Sequence, residues 1–271
     1  MSRRATAACA LLLAGLAAAP AEAGLFKRGK RPEAAAAAKP AAAAPRAASA
    51  EERAAAQRLE PLTRVTFWTR EFNLDPRDSE AGAALASALR LMGRYEEASE
   101  TAKRALALKP DHVEALLELS RAEIARNQGF YAVEPAKKAQ ALAPRDWRAA
   151  SLLGVAYEQV GRGAEAREAW NHALKLSPEN PSVLANLALS HAARGDLKQA
   201  EALLRRAAVR KDASIKVRQN LVVVLGLQGK MAEAEKLLRE DLPPEAVAAN
   251  LAWLKTASSG ARSWDALKST N

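Results

Sequence analysis

The chain has 271 residues, 49% of them apolar and 4% aromatic, with a formal net charge of +10. The alanine-rich composition favours helix and supplies one sizeable core, while a single cysteine, Cys9, excludes an intramolecular disulfide and any CxxC metal site. The charge excess is spread along the chain, with one dense knot at Lys27, Arg28, Lys30 and Arg31; it reads as a solvated surface, not as the basic stripe with stacking aromatics that nucleic acid requires, and no nucleic-acid partner is expected.

Residues 1–23 have the layout of a signal peptide. Arg3 and Arg4 form a positive start, Ala5 to Ala19 an apolar run, and Ala21-Glu22-Ala23 a small-x-small cleavage site. The run is short for a membrane span, which needs about 20 residues, and Pro20 and Glu22 interrupt it. An uncleaved anchor and a disordered leader are the competing readings. Export would place the chain in the periplasm, with any outer-membrane association made through a partner. Leu13-Ala14-Gly15-Leu16 has the form of a lipid-attachment site with leucine where the cysteine belongs, so no lipid or other stable membrane anchor is expected. Residues 24–50 form a linker, first basic, then rich in Ala and Pro (Pro32, Pro40, Pro45). It has little to bury. The basic knot is either a solubilising start to it or a contact for anionic lipid.

A 34-residue period follows. Gly93, Gly161, Gly195 and Gly229 share one grid, with Asn127 at the missing node. Ala98, Ala132, Ala166, Ala200 and Ala234 fall on it, as do Ala105, Ala139, Ala173 and Ala207, and Pro76, Pro110, Pro144 and Pro178. The glycine or asparagine suits a tight turn between two helices, where a left-handed backbone is required. The alanines let paired helices approach closely. The prolines stop each second helix. Leu85, Leu119, Leu153, Leu187 and Leu221 are the core leucines of the first helices. Five units therefore begin at Ser79, Val113, Trp147, Pro181 and Ile215.

The third unit, with Leu153-Gly154, Tyr157, Gly161, Ala166, Trp170, Ala173 and Pro178, resembles the tetratricopeptide repeat (TPR) in all but its leading tryptophan. The expected fold is all-α, a TPR helical-hairpin solenoid of five in-register repeats over residues 79–244. Residues 51–78 read as a degenerate half-repeat, with Pro61 to Leu74 as its second helix. Residues 245–256 read as a capping helix opened by Pro244, because the terminal unit of a solenoid otherwise exposes a core face. Residues 257–271 read as a flexible tail.

No catalytic, cofactor or metal site is expected. His112, His172 and His191 share no ligand spacing, and there is no GxSxG motif, phosphate-binding loop or GxGxxG. The carboxylates sit in the charge pattern of amphipathic helices. Trp147 and Trp170 occupy positions where bulk is buried.

The TPR resemblance implies a solenoid whose first helices line a concave groove. At its N-terminal end the inward positions hold Glu80, Ser87, Arg90, Glu114, Glu118 and Arg121, and in the middle Arg148, Ser151, Val155, Glu158 and Gln159. At the C-terminal end they hold Asn186, Leu189, Ala192, Ala193, Lys216, Gln219, Asn220, Val223 and Leu227. Amides beside an apolar floor suit an extended peptide or a helix, and Asn186, Leu189, Ala193, Gln219, Asn220, Val223 and Leu227 are the candidate peptide-binding residues. The alternative is that Asn186 and Asn220 only satisfy neighbouring helices.

Several segments go beyond generic repeat positions: Arg145-Asp146-Trp147 with Leu153-Gly154-Val155-Ala156-Tyr157, Val183 to Leu189, Val217 to Leu221 with Gly226 to Gly229, and Asp241-Leu242-Pro243-Pro244-Glu245 with Asn250-Leu251. From about Pro61 to Lys255 they resemble the TadD family of Flp/Tad pilus assembly proteins. That resemblance implies an envelope protein that helps a secretin or another pilus component assemble, without catalysis. Family members are often lipoproteins, and Leu16 departs from that pattern. A general periplasmic scaffold or chaperone, or a docking subunit for a separately encoded enzyme, are the alternatives.

Overall fold

A computed structural model describes residues 46–268, with side chains to Ser258. The expected signal peptide and the linker up to residue 45 lie outside the described residues.

Thirteen helices and no strand occur among the described residues. α1 (Ala50–Ala56) and α2 (Pro61–Leu74) lead into five hairpins. These are α3 (Ser79–Leu91) with α4 (Tyr95–Leu108), α5 (Val113–Ala125) with α6 (Gly129–Leu142), α7 (Trp147–Gln159) with α8 (Gly163–Leu176), α9 (Pro181–Ala193) with α10 (Leu197–Ala208), and α11 (Ile215–Leu227) with α12 (Met231–Asp241). α13 (Pro244–Lys268) closes the array.

Each hairpin is built the same way. The node residue takes the left-handed conformation: φ is 76° at Gly93, 58° at Asn127, 78° at Gly161, 85° at Gly195 and 80° at Gly229. The next residue then donates its N–H back to a carbonyl five residues earlier, as in Arg94 to Leu89, Gln128 to Glu123 and Arg162 to Tyr157. This satisfies a carbonyl that the helix end leaves orphaned. Asparagine tolerates the left-handed region better than most residues, which is why the 127 node survives without glycine. At the other end, Asp78, His112, Asp146 and Asn180 each cap the following first helix with a side-chain acceptor.

The grid alanines from Ala98 to Ala234 and from Ala105 to Ala207 are fully buried, and the five grid leucines are buried beside them. The closest approach is at Gly154, where a Cβ would stand 2.5 Å from Trp170 Cδ1; Trp170 Nε1 donates to Ser151 O at 3.2 Å. A continuous core runs from Ala150 through the last two repeats to Val247 and Leu254 of α13. The first two repeats hold several smaller clusters instead.

The two ends differ from the sequence reading. The linker was expected to reach residue 50, but its last residues are docked: Arg70 donates to Arg46 O at 2.8 Å and the Ala48 N–H to Glu71 Oε2 at 2.8 Å. Ser49 and Glu52 form a reciprocal capping box that starts α1. The half-repeat thus has a first helix of 7 residues, where the full repeats have 13. At the other end α13 runs on to Lys268 instead of stopping at 256. The hydroxyls of Thr256 and Ser258 bond to carbonyls of their own helix, Ala252 O and Lys255 O.

Candidate partner-binding groove

The seven candidate residues lie on α9 and α11, first helices that pack directly against each other. Six of them fall into pairs one repeat apart, Asn186 with Asn220, Leu189 with Val223, and Ala193 with Leu227, and Gln219 stands beside Asn220. Each set shares one helix face, since spacings of three, four and seven residues return to the same side. Buried Leu187, Leu221 and Leu225 hold these helices to the core. Leu189 is 39% exposed. Ala193 and Gln219 are also exposed, and Asn186, Asn220, Val223 and Leu227 are half-buried.

Among the described residues the side chains of Asn186, Gln219 and Asn220 have no hydrogen-bond partner, and none of their polar atoms is sealed from solvent. The amides that tie neighbouring repeats together are others. Gln159 Nε2 donates to Ile124 O, and Gln228 Nε2 to Leu197 O and Glu201 Oε2, each at 2.9 Å.

The N-terminal and middle positions are arranged differently. Arg90 and Arg121 both bond to the buried carboxylate of Glu118, Arg90 at 2.7 Å. Arg148 holds Asp146 and, one repeat back, Glu114. The hydrogen bonds that the guanidinium donates to Asp146 and then Glu114 raise its pKa above the ordinary value. Glu158 accepts from Ser190 at 3.0 Å. Six of the expected groove residues, Arg90, Glu114, Glu118, Arg148, Glu158 and Gln159, are therefore links between repeats. Apart from Glu80, the charged groups on the first-helix face are internally paired towards the N-terminus, while the amides towards the C-terminus have no partner among the described residues.

At the N-terminal end of the expected groove, around the inward positions Glu80, Ser87, Glu114 and Glu118, an open cleft of about 520 Å³ lies between α1, α3 and α5. Arg53, Ala54 and Gln57 form one wall, with Trp68, Glu80, Ala83, Ala84 and Ser87, and His112, Glu114 and Glu118 around the rest. It exists because α1 is too short to cover α3 as a full first helix would. The Ser49-x-x-Glu52 pattern that starts α1 was visible in the sequence, but the Ala-rich composition around it masked it.

Trp147 is half-buried against the core and Trp170 is buried in it. His112 Nδ1 accepts from the Ala115 N–H at 3.1 Å, and His191 Nδ1 lies 3.1 Å from Asp196. Among the described residues no cluster of His, Cys, Asp and Glu could hold a metal ion, and no helix is long and apolar enough to cross a membrane.

Tetratricopeptide repeat family models match residues 132–181, 154–215 and 79–122. Among solved structures, a thermophilic TPR protein of Thermus thermophilus is similar at 23% identity, with a TM-score of 0.56, covering 65% of this chain and 94% of that one. The 41-end form of MamA from Desulfovibrio magneticus RS-1 is similar at 24% identity, with a TM-score of 0.51, covering 58% and 90%. At these identities the likeness is one of fold. No curated protein sequence matches the chain. Together with five hairpins on a common grid, the repeat matches define the chain as a tetratricopeptide-repeat protein.

Proposed function

We propose that this protein is a non-catalytic scaffold of the bacterial cell envelope that holds a partner protein in the groove of its last two repeats. The observation that carries this reading is the contrast along the first-helix face. In the early repeats Arg90, Glu114, Glu118 and Arg148 are spent on links between repeats, and Glu80 is the charged group left over. In α9 and α11 the amides of Asn186, Gln219 and Asn220 lack intramolecular partners beside exposed or half-exposed Leu189, Val223 and Leu227. Amides bind a peptide backbone, and the apolar residues take its side chains.

The envelope location rests on the signal-peptide pattern of residues 1–23. The finer reading is a TadD-type pilus assembly factor with a secretin or another pilus component as partner. It rests on the residue-level resemblance between Pro61 and Lys255. Two experiments test these levels separately. Leu189→Glu with Asn220→Ala should lower partner capture in envelope pull-downs at least about tenfold while helicity is unchanged; undiminished capture would count against the groove. Deletion of the gene should remove surface pili and secretin multimers, and their persistence would end the pilus reading while leaving the scaffold intact.

A further inference from the structure

The cleft between α1, α3 and α5 has a chemistry opposite to that of the C-terminal groove. Its carboxylates are Glu80, Glu114 and Glu118 and its one cation is Arg53. Arg53 is already committed, bonding Asp78 at 2.6 Å and Glu71 at 3.2 Å. Glu118 is held by Arg90 of the preceding repeat and Arg121 of its own, and Glu114 by Arg148 of the next. Glu80 is exposed and has no partner among the described residues. A second group is also unmatched. Trp68 forms part of the cleft wall and is 4% exposed, and its indole Nε1 has no hydrogen-bond acceptor. A buried donor left unpaired is destabilising. The adjoining Ala83 and Ala84 leave room above α3.

We infer that this cleft is a second recognition site, taking an extended peptide segment that places a lysine or arginine against Glu80. Charge complementarity selects the occupant. The cleft offers one carboxylate without a cation, and its only cation is neutralised twice, so an acidic or neutral side chain gains nothing there. The inference rests on the scaffold reading and adds the polarity of the partner: a basic residue at the first repeat, an apolar stretch at the last two.

Three fluorescein-labelled twelve-residue peptides test it, built from Ala, Leu and Thr with arginine, citrulline or glutamate at one central position. Binding to the full chain is read by anisotropy. The arginine peptide should bind tightest and lose its advantage as salt rises. Glu80→Gln should reduce that advantage by about three- to tenfold without changing the citrulline peptide. Glu80→Lys should reverse the order in favour of glutamate. Glu80 makes no internal contact that either variant would break, and an unchanged melting midpoint checks this. Equal binding of the three peptides, no binding of any, or an arginine advantage that survives Glu80→Gln would each overturn the site. The C-terminal groove is judged on the native partner with the Leu189 and Asn220 variants, so either site can fail while the other stands.

Discussion

At the scale of single residues, the tolerance of a position follows from what surrounds it rather than from its type. Gly161 and Gly154 belong to the same repeat and do different work. Gly161 faces open space and is needed for its φ of 78°. Gly154 has ordinary helical φ and is needed because the Trp170 indole lies on it. That ring is rigid and anchored through its N–H to Ser151 O, so it cannot yield by rotating a flexible tip. Gly154→Ala should therefore destabilise the third repeat by about 1–3 kcal/mol, read as a lower urea midpoint with an altered Trp170 emission. An unchanged midpoint would mean the α7–α8 hairpin can open without cost. Both glycines were legible as repeat positions. The physical reason for each needed the neighbouring helix, because a 34-residue spacing says that a residue is small and not what it is small for.

At the scale of elements, the hairpins were legible and the ends were not. Turn nodes and the first alanine series mark every full repeat, with prolines closing the first three, and the first helices begin at the five predicted residues because each signal acts locally. The ends depend on what lies beside them. Residues 46–49 are ordered by the buried carboxylate of Glu71, 22 residues from Ser49 along the chain, and no local pattern announces that contact. The candidate groove was legible as repeat positions. That Arg148 and Gln159 are links while Asn186 and Asn220 are free was not, since the same inward position serves both purposes. Elements are also joined by specific polar clamps. Glu201 of α10 accepts from Lys230 at 2.6 Å, from Gln228 at 2.9 Å and from Arg205, fixing the α11–α12 turn to the preceding repeat. The Lys230 hydrogen bond, with those of Arg205 and Gln228, outweighs the effect of burial and brings the carboxyl down to about 2 from 4.5. A depressed folded-state value means that this contribution is fully present above the ordinary value and is lost as pH falls from 4.5 towards 2. Glu201→Gln should cost about 1–3 kcal/mol at neutral pH and should flatten the fall in stability across that window. Parallel pH profiles for the wild type and the variant would show that the clamp contributes nothing to folding.

At the scale of the whole molecule, the array is held differently along its length. A solenoid has no contacts beyond near neighbours, so its stability is close to a sum of repeat and interface terms. Towards the C-terminus those interfaces are built on one continuous apolar cluster, with Leu184, Leu204 and Leu225 fully buried and Leu254 sealing it against Gly226, and the Glu201 clamp lies beside it. Towards the N-terminus the apolar clusters are small and the repeats are joined by buried carboxylates: Glu118 between Arg90 and Arg121, and Glu123 with Ser99, Arg126 and Lys103. Two substitutions should therefore fail in different places. Leu204→Ala empties part of the continuous core and should cost about 2–5 kcal/mol. Amide exchange should rise in α9 to α12 and stay unchanged in α3. Glu118→Gln leaves two arginines facing each other without their shared carboxylate, costing about 2–4 kcal/mol, and should loosen α3 to α5 while α11 keeps its protection. If either variant raised exchange uniformly from α3 to α13, the array would be one cooperative unit. The division between an ionic N-terminal half and an apolar C-terminal half would then have no thermodynamic meaning. If the two effects stay local, a partner held in the last two repeats stiffens that half alone, and the N-terminal cleft remains free to respond to its own ligand.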